Sequence, residues 1–184
     1  MKSAILDHTI GEAKARSIKD LRAFFALQAP LVERAEKALR DGYPIEASEI
    51  AQNQMHAVLR KALWMKSILE AANSVLGRGD DDYLLRLLTR PSDMMPLGVS
   101  GRELYGAAAR FALIDETTAT ALNHLQEESA TLLRQAFTTT DQNLLLLWQK
   151  LGKYAEEFVR IDALCIAMAE RTLENFEEQM AQSA

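Results

Sequence analysis

The chain has 184 residues, 48% apolar and 26% charged, with a net charge of −5 and a pI near 5.3. That balance excludes disordered, collagen-like and mucin-like classes. Only eight Gly and four Pro leave too few turns for a β-sandwich, which needs one about every 8–12 residues. The expected fold is all-α, a compact multi-helix bundle with long central and C-terminal helices.

The first periodic segment runs from about Gly11 to Gln28, with Ile18, Leu21 and Phe25 on one face and Phe24 beside them. Pro30 opens a shorter helix carrying Leu31, Val32, Ala35 and Leu39, which Asp41 and Gly42 end. From Pro44 the apolar positions Ala51, Met55, Val58, Leu59, Ala62, Met65, Leu69, Ala72 and Leu76 keep helical spacing. A second set, Ile50, Ala57, Trp64, Ile68 and Val75, widens the stripe, so this helix is expected to be central and touched on two sides. Gly77 supplies its stop.

Residues 78–99 read as an irregular connection between two halves of one all-α domain, 1–184, broken by a short helix from Tyr83 to about Thr89. Ser100 and Glu103 form a capping box for a helix through Leu113, and Asp115 is the N-cap of the next, with Leu122, Leu125, Leu132, Leu133 and Phe137 on a shared face. The run Thr138 to Asp141 is a turn and cap. A last helix of up to 40 residues then carries Leu144, Leu147, Trp148, Leu151, Tyr154, Phe158, Ile161, Cys165, Met168 and Phe176. Such a helix spans about 60 Å, more than a globule of this size, so either its acidic end protrudes or it pairs with another chain. The second alternative makes Phe158, Ile161, Cys165 and Met168 a homodimer interface, with the acidic end left in solvent.

Charge narrows the partners. Residues 155–184 hold seven acids against Arg160 and Arg171, which is the whole net charge of the chain. An acidic pI argues against nucleic-acid binding through the overall field. The nearest thing to a basic patch is Lys14, Arg16, Lys19 and Arg22, which Glu12 and Asp20 interrupt; it reads as a solvated helix face. An alternative function as a nucleic-acid-binding factor would use Lys14, Lys19 and Arg22 with Arg34 and Lys37. The single Cys165 has no partner for an internal disulfide, and the opening residues lack a signal-peptide core, so a cytoplasmic location is expected. The apolar runs are far short of the roughly 20 residues that cross a bilayer.

No arrangement of residues spells out a reaction. His8, His56 and His124 are scattered, and none follows a Glu at the spacing that puts two metal ligands on one helical face, so neither metal nor cofactor is expected. Adjacent acids at 80–82 read as helix caps. Cys165 sits on an apolar stripe and reads as a small buried hydrophobe. No Arg stands five residues before a His, which removes the pairing that makes some helical bundles nucleases, and His56 with Arg60 has the reverse order. Phosphate-binding glycine loops are absent. A further alternative is an enzyme with a small-ligand pocket beneath Trp64 and Trp148.

The segment from Met95 to Gly106 is the remaining candidate binding site. Met95 and Pro96 lead into a capped helix on which Arg102 and Tyr105, three apart, would present a cation beside an aromatic ring. From Pro96 to Leu133 the pattern Pro-Leu-Gly, Ser100, Arg102, Tyr105-Gly106, Leu113-Ile114-Asp115 and a Leu-rich helix resembles the mannitol operon repressor family. Related members often carry an Arg-x4-His pair after the second helix, where this chain has Glu127 to Arg134 and no His. The resemblance implies an all-α regulatory protein of bacterial type that acts through other proteins. The expectation is therefore a non-enzymatic regulator or adaptor, homodimeric, working by protein contact.

Overall fold

The computed structural model describes residues 2–73, 81–90 and 100–182. Among them seven helices follow one another: α1 (Lys2–Ala26), α2 (Gln28–Arg40), α3 (Pro44–Asn73), α4 (Asp81–Thr89), α5 (Gly101–Arg110), α6 (Glu116–Ala136) and α7 (Asp141–Gln182). They form an all-α bundle in which one contiguous core takes residues from every helix. The stop assigned to Gly77 lies outside the described residues.

α1 begins at Lys2 rather than at Gly11. A mid-helix Gly costs roughly 0.5–1 kcal/mol, but continuing through it lets Ile10 reach the core with Leu6 packed against it. α2 likewise starts at Gln28, before Pro30, because the first-turn N–H groups have no intrahelical acceptor and the missing one does no harm there. Gln28 and Gln54 are both buried and bind the α1–α2 elbow to α3: Gln54 Nε2 donates to the Gln28 carbonyl at 2.8 Å and to its Oε1 at 3.1 Å.

Two helix ends share one backbone device. At the end of α2, Gly42 (φ 82°) donates to Leu39 O and Tyr43 to Ala38 O; at the end of α5, Ala112 (φ 54°) donates to Ala109 O and Leu113 to Ala108 O. The first left-handed position is a glycine and the second is not, so the turn after α5 carries the steric cost of a Cβ. The starts of α5 and α6 are held as expected. Glu103 N donates to Ser100 Oγ while Ser100 N donates to Glu103 Oε2, and Thr118 N donates to Asp115 Oδ1 at 2.6 Å.

α3 is central, touched by α2, α4, α5 and α7, and its pairing with α7 is the most extensive of all. The contacts run in one order along both helices. Ala47 and Ala155 meet with Ala38 of α2, the Trp64 and Phe176 rings lie 5.8 Å apart, and Asn73 Nδ2 donates to Gln179 Oε1 at 2.7 Å. The two helices are therefore parallel, with Ala47, Ala51, Ala62, Ala155 and Ala169 all fully buried and permitting close approach. The acidic end of α7 neither protrudes nor stands free: Phe176 and Met180 are buried, and Arg22 of α1 holds Glu177 through paired bonds of 2.7 and 2.9 Å.

Two substitutions test the helix ends. Ala112→Gly relieves the left-handed residue at an exposed position and should raise stability by about 1 kcal/mol in urea unfolding. Ser100→Ala removes the hydroxyl cap and should lower it by about 1 kcal/mol, with the helical content of the remaining fold unchanged.

Candidate functional site

Where α3, α5 and α7 meet, the core holds a cluster of polar side chains. His56 Nε2 lies 2.7 Å from Tyr105 Oη, with the ring centroids 5.5 Å apart, and Tyr105 is fully buried. Asp162 and Cys165, one turn apart on α7, are each about 1% exposed. Burial, with Arg60 nearby, depresses the His56 pKa, so the imidazole is neutral at pH 7. Burial pushes the Tyr105 phenol up, pushes the Cys165 thiol up to about 12 with Asp162 adding to the shift, and pushes Asp162 up to about 8. None of these shifts makes a nucleophile. A thiol at about 12 is protonated, the opposite of an activated cysteine. Among the described residues no three His, Cys, Asp or Glu side chains gather closely enough to hold a metal ion.

The structure separates the residues that the sequence placed together. Tyr105 turns inward to His56 while Arg102 is exposed, so the cation and the ring do not form one binding face. Met95 and Pro96 lie outside the described residues. Phe158, Ile161 and Cys165 are at most 1% exposed and belong to the chain's own core, with Met168 packed against it; they are not a surface that a second chain can reach. The reason is that α3 runs alongside this part of α7 and covers the stripe internally.

Four of the basic residues are also less available than a solvated patch would be, while Arg16 and Lys19 are exposed. Lys14 is buried, Arg22 binds Glu177, Arg34 Nη2 lies 2.9 Å from Glu46 Oε1, and Lys37 pairs with Asp41. Trp64 and Trp148 stand apart: the Trp64 ring lies 5.8 Å from that of Phe176 and tilted to it by 40°, whereas Trp148 lies 28 residues earlier on α7 and is 40% exposed.

The register of the α3–α7 pair exposes something else. If Ala47 stands by Ala155 and α3 begins at Pro44, the first turns of α7 overhang the start of α3. Among the described residues α6 packs there, through Leu132 against Leu147 and Leu151. Leu144, Leu145, Leu146 and Trp148 are left 40, 68, 54 and 40% exposed, and Phe137 at the end of α6 is 87% exposed. The sequence reading put Phe137, Leu144 and Trp148 on buried faces; the overhang corrects it. The signal was present in the run Leu144 to Trp148, which is apolar on every side of the helix and so calls for cover on every side. No family model, curated protein or solved structure matches the chain.

Asp162 makes stability depend on pH. Its folded pKa of about 8 lies above the unfolded value of about 3.9, so its contribution is fully present below pH 4 and is lost as pH rises through 8. Asp162→Asn should remove that slope, leaving the variant equal to wild type near pH 4 and more stable by about 1 kcal/mol or more at pH 8 in chemical unfolding. Cys165 should stay unreactive to a thiol reagent in the native protein and react on unfolding. Ile161→Glu should unfold the chain rather than change its association.

Proposed function

We propose that this chain is a non-enzymatic regulatory or adaptor protein that works by protein contact, through the overhanging start of α7 and the neighbouring Phe137. The observation that carries the reading is the leucine run, exposed at Leu144, Leu145, Leu146 and Trp148 while Leu147 packs on α6. Phe137, Leu144, Leu145, Leu146 and Trp148 are all exposed within twelve residues of chain, and exposed apolar surface of this kind often marks a contact site. The resemblance of residues 96–133 to the mannitol operon repressor family supports a regulatory role, transcription included.

The occupant to which the surface is best matched is a second copy of this chain. From Asn143 to Gln149 the helix carries no charge, and Lys150 and Lys153 lie beyond the patch, so two copies meet about a twofold axis without like charges at the centre. Phe137 and Trp148 supply the aromatic anchors that dominate such contacts.

Sedimentation or light scattering tests this reading. The wild-type mass should be twice 20.6 kDa at micromolar concentration, and Leu145→Glu with Leu146→Glu should return it to 20.6 kDa with unchanged helicity, since both leucines are exposed in the single chain. A wild-type mass of 20.6 kDa at about 100 μM, or a dimer that survives both substitutions, overturns the assignment of this surface.

A further inference from the structure

Ala47 of α3 and Ala155 of α7 meet in the seam between these parallel helices. Gln54 and Asp162 each lie seven residues further on, two helical turns and about 10 Å, and so on the same side of their helices as the alanines. Because both steps run in one direction, the two residues come to one layer of the seam. Both are buried, Gln54 at 3% and Asp162 at 1% exposed.

Among the described residues this layer is short of a donor. Gln54 Nε2 is committed to the Gln28 carbonyl, an atom that can only accept, and this fixes which way the amide is turned. Its Oε1 is left buried with nothing to accept, and Asp162 Oδ1 is in the same state. Two orphaned acceptors in one buried layer carry the cost of lost hydration twice. The titratable groups around the carboxyl do not relieve it. Cys165 is the neighbour on α7, Tyr105 of α5 lies beyond that thiol, His56 of α3 is bonded to Tyr105, and α2 brings the uncharged Gln28. Burial raises the Asp162 pKa to about 8, with no cation close enough to oppose it.

We infer that the missing donor is the proton of Asp162 itself: the neutral carboxyl donates its O–H to Gln54 Oε1 and latches α7 to α3. One proton then satisfies both orphaned oxygens, since the carboxyl oxygen that carries it becomes the donor and the amide oxygen the acceptor. Loss of that proton to solvent leaves a carboxylate facing an amide oxygen, two acceptors with nothing between them. The latch is closed at neutral pH and fails as the pH rises through about 8. It stands apart from the protein-contact reading, which uses the exposed start of α7.

Carbon NMR of the full chain labelled at aspartate follows the ionisation of Asp162 directly, with Asp162→Asn to assign its signal. Gln54→Met keeps the length and burial of the side chain but has no amide oxygen. The Asp162 pKa should fall by about one unit or more in this variant, because the neutral acid loses its acceptor and the carboxylate loses an oxygen that repels it. Burial acting alone requires no change or a rise, methionine being the more apolar neighbour, and that result overturns the latch. Circular dichroism shows whether the variant keeps its helices. Should it not fold, the unsubstituted chain decides. The infrared difference between wild type and Asp162→Asn at about pH 6 should contain the carbonyl stretch of a hydrogen-bonded acid, and the frequency of a free acid overturns the proposal with Gln54 untouched.

Discussion

The parallel register of α3 against α7 is the constraint from which the rest of the molecule follows. Buried alanines at 47, 51, 62, 155 and 169 let the two backbones approach closely, and larger side chains such as Met55, Phe158 and Phe176 fill the space between. A shift of one turn would set those large groups against one another and leave voids where the alanines now meet. With the register set, α2 and α5 lie on α3 and α6 lies on α7. The same register decides which part of the longer helix goes uncovered, and it is the leucine-rich start, not the acidic end.

Polar groups within the core reinforce that arrangement. The His56–Tyr105 bond ties α3 to α5, and the Gln54–Gln28 bonds tie α3 to the α1–α2 elbow. Each can be made in one alignment only, because an amide or phenol left without its partner in the core loses its hydration for nothing. Asp162 is the member with no such bond at Oδ1, and its raised pKa records the cost of ionising a carboxyl there. These groups choose an arrangement.

The two regions that carry the functional readings lie apart on one helix. Trp148 of the overhang and Asp162 of the seam are separated by 14 residues of α7, about 21 Å at its rise per residue. One region is uncharged, apolar and exposed, suited to a second protein surface, and the other is polar and buried, suited to holding α7 on α3. α7 is the element common to both.

The helices were legible in the sequence because their signals are local. Apolar positions at three- and four-residue spacing marked α3 and α7, Ser100 with Glu103 marked the start of α5, and Asp115 marked the start of α6. An apolar stripe shows that a face must be covered but carries no information about what covers it. So Phe158, Ile161 and Cys165 read as an interface when α3 of the same chain buries them, and the run Leu144 to Trp148 read as no more than an apolar stretch too short to cross a bilayer, although Leu145 and Leu146 are more than half exposed. Tyr105 and Arg102 likewise shared a predicted face until His56, 49 residues away, took the phenol. Gln54 and Asp162 reach one layer from distant parts of the chain, and such convergence has no signature within either helix. Local periodicity determined the elements, while register and long-range packing decided which of their faces meet water, because burial depends on the partner as much as on the residue.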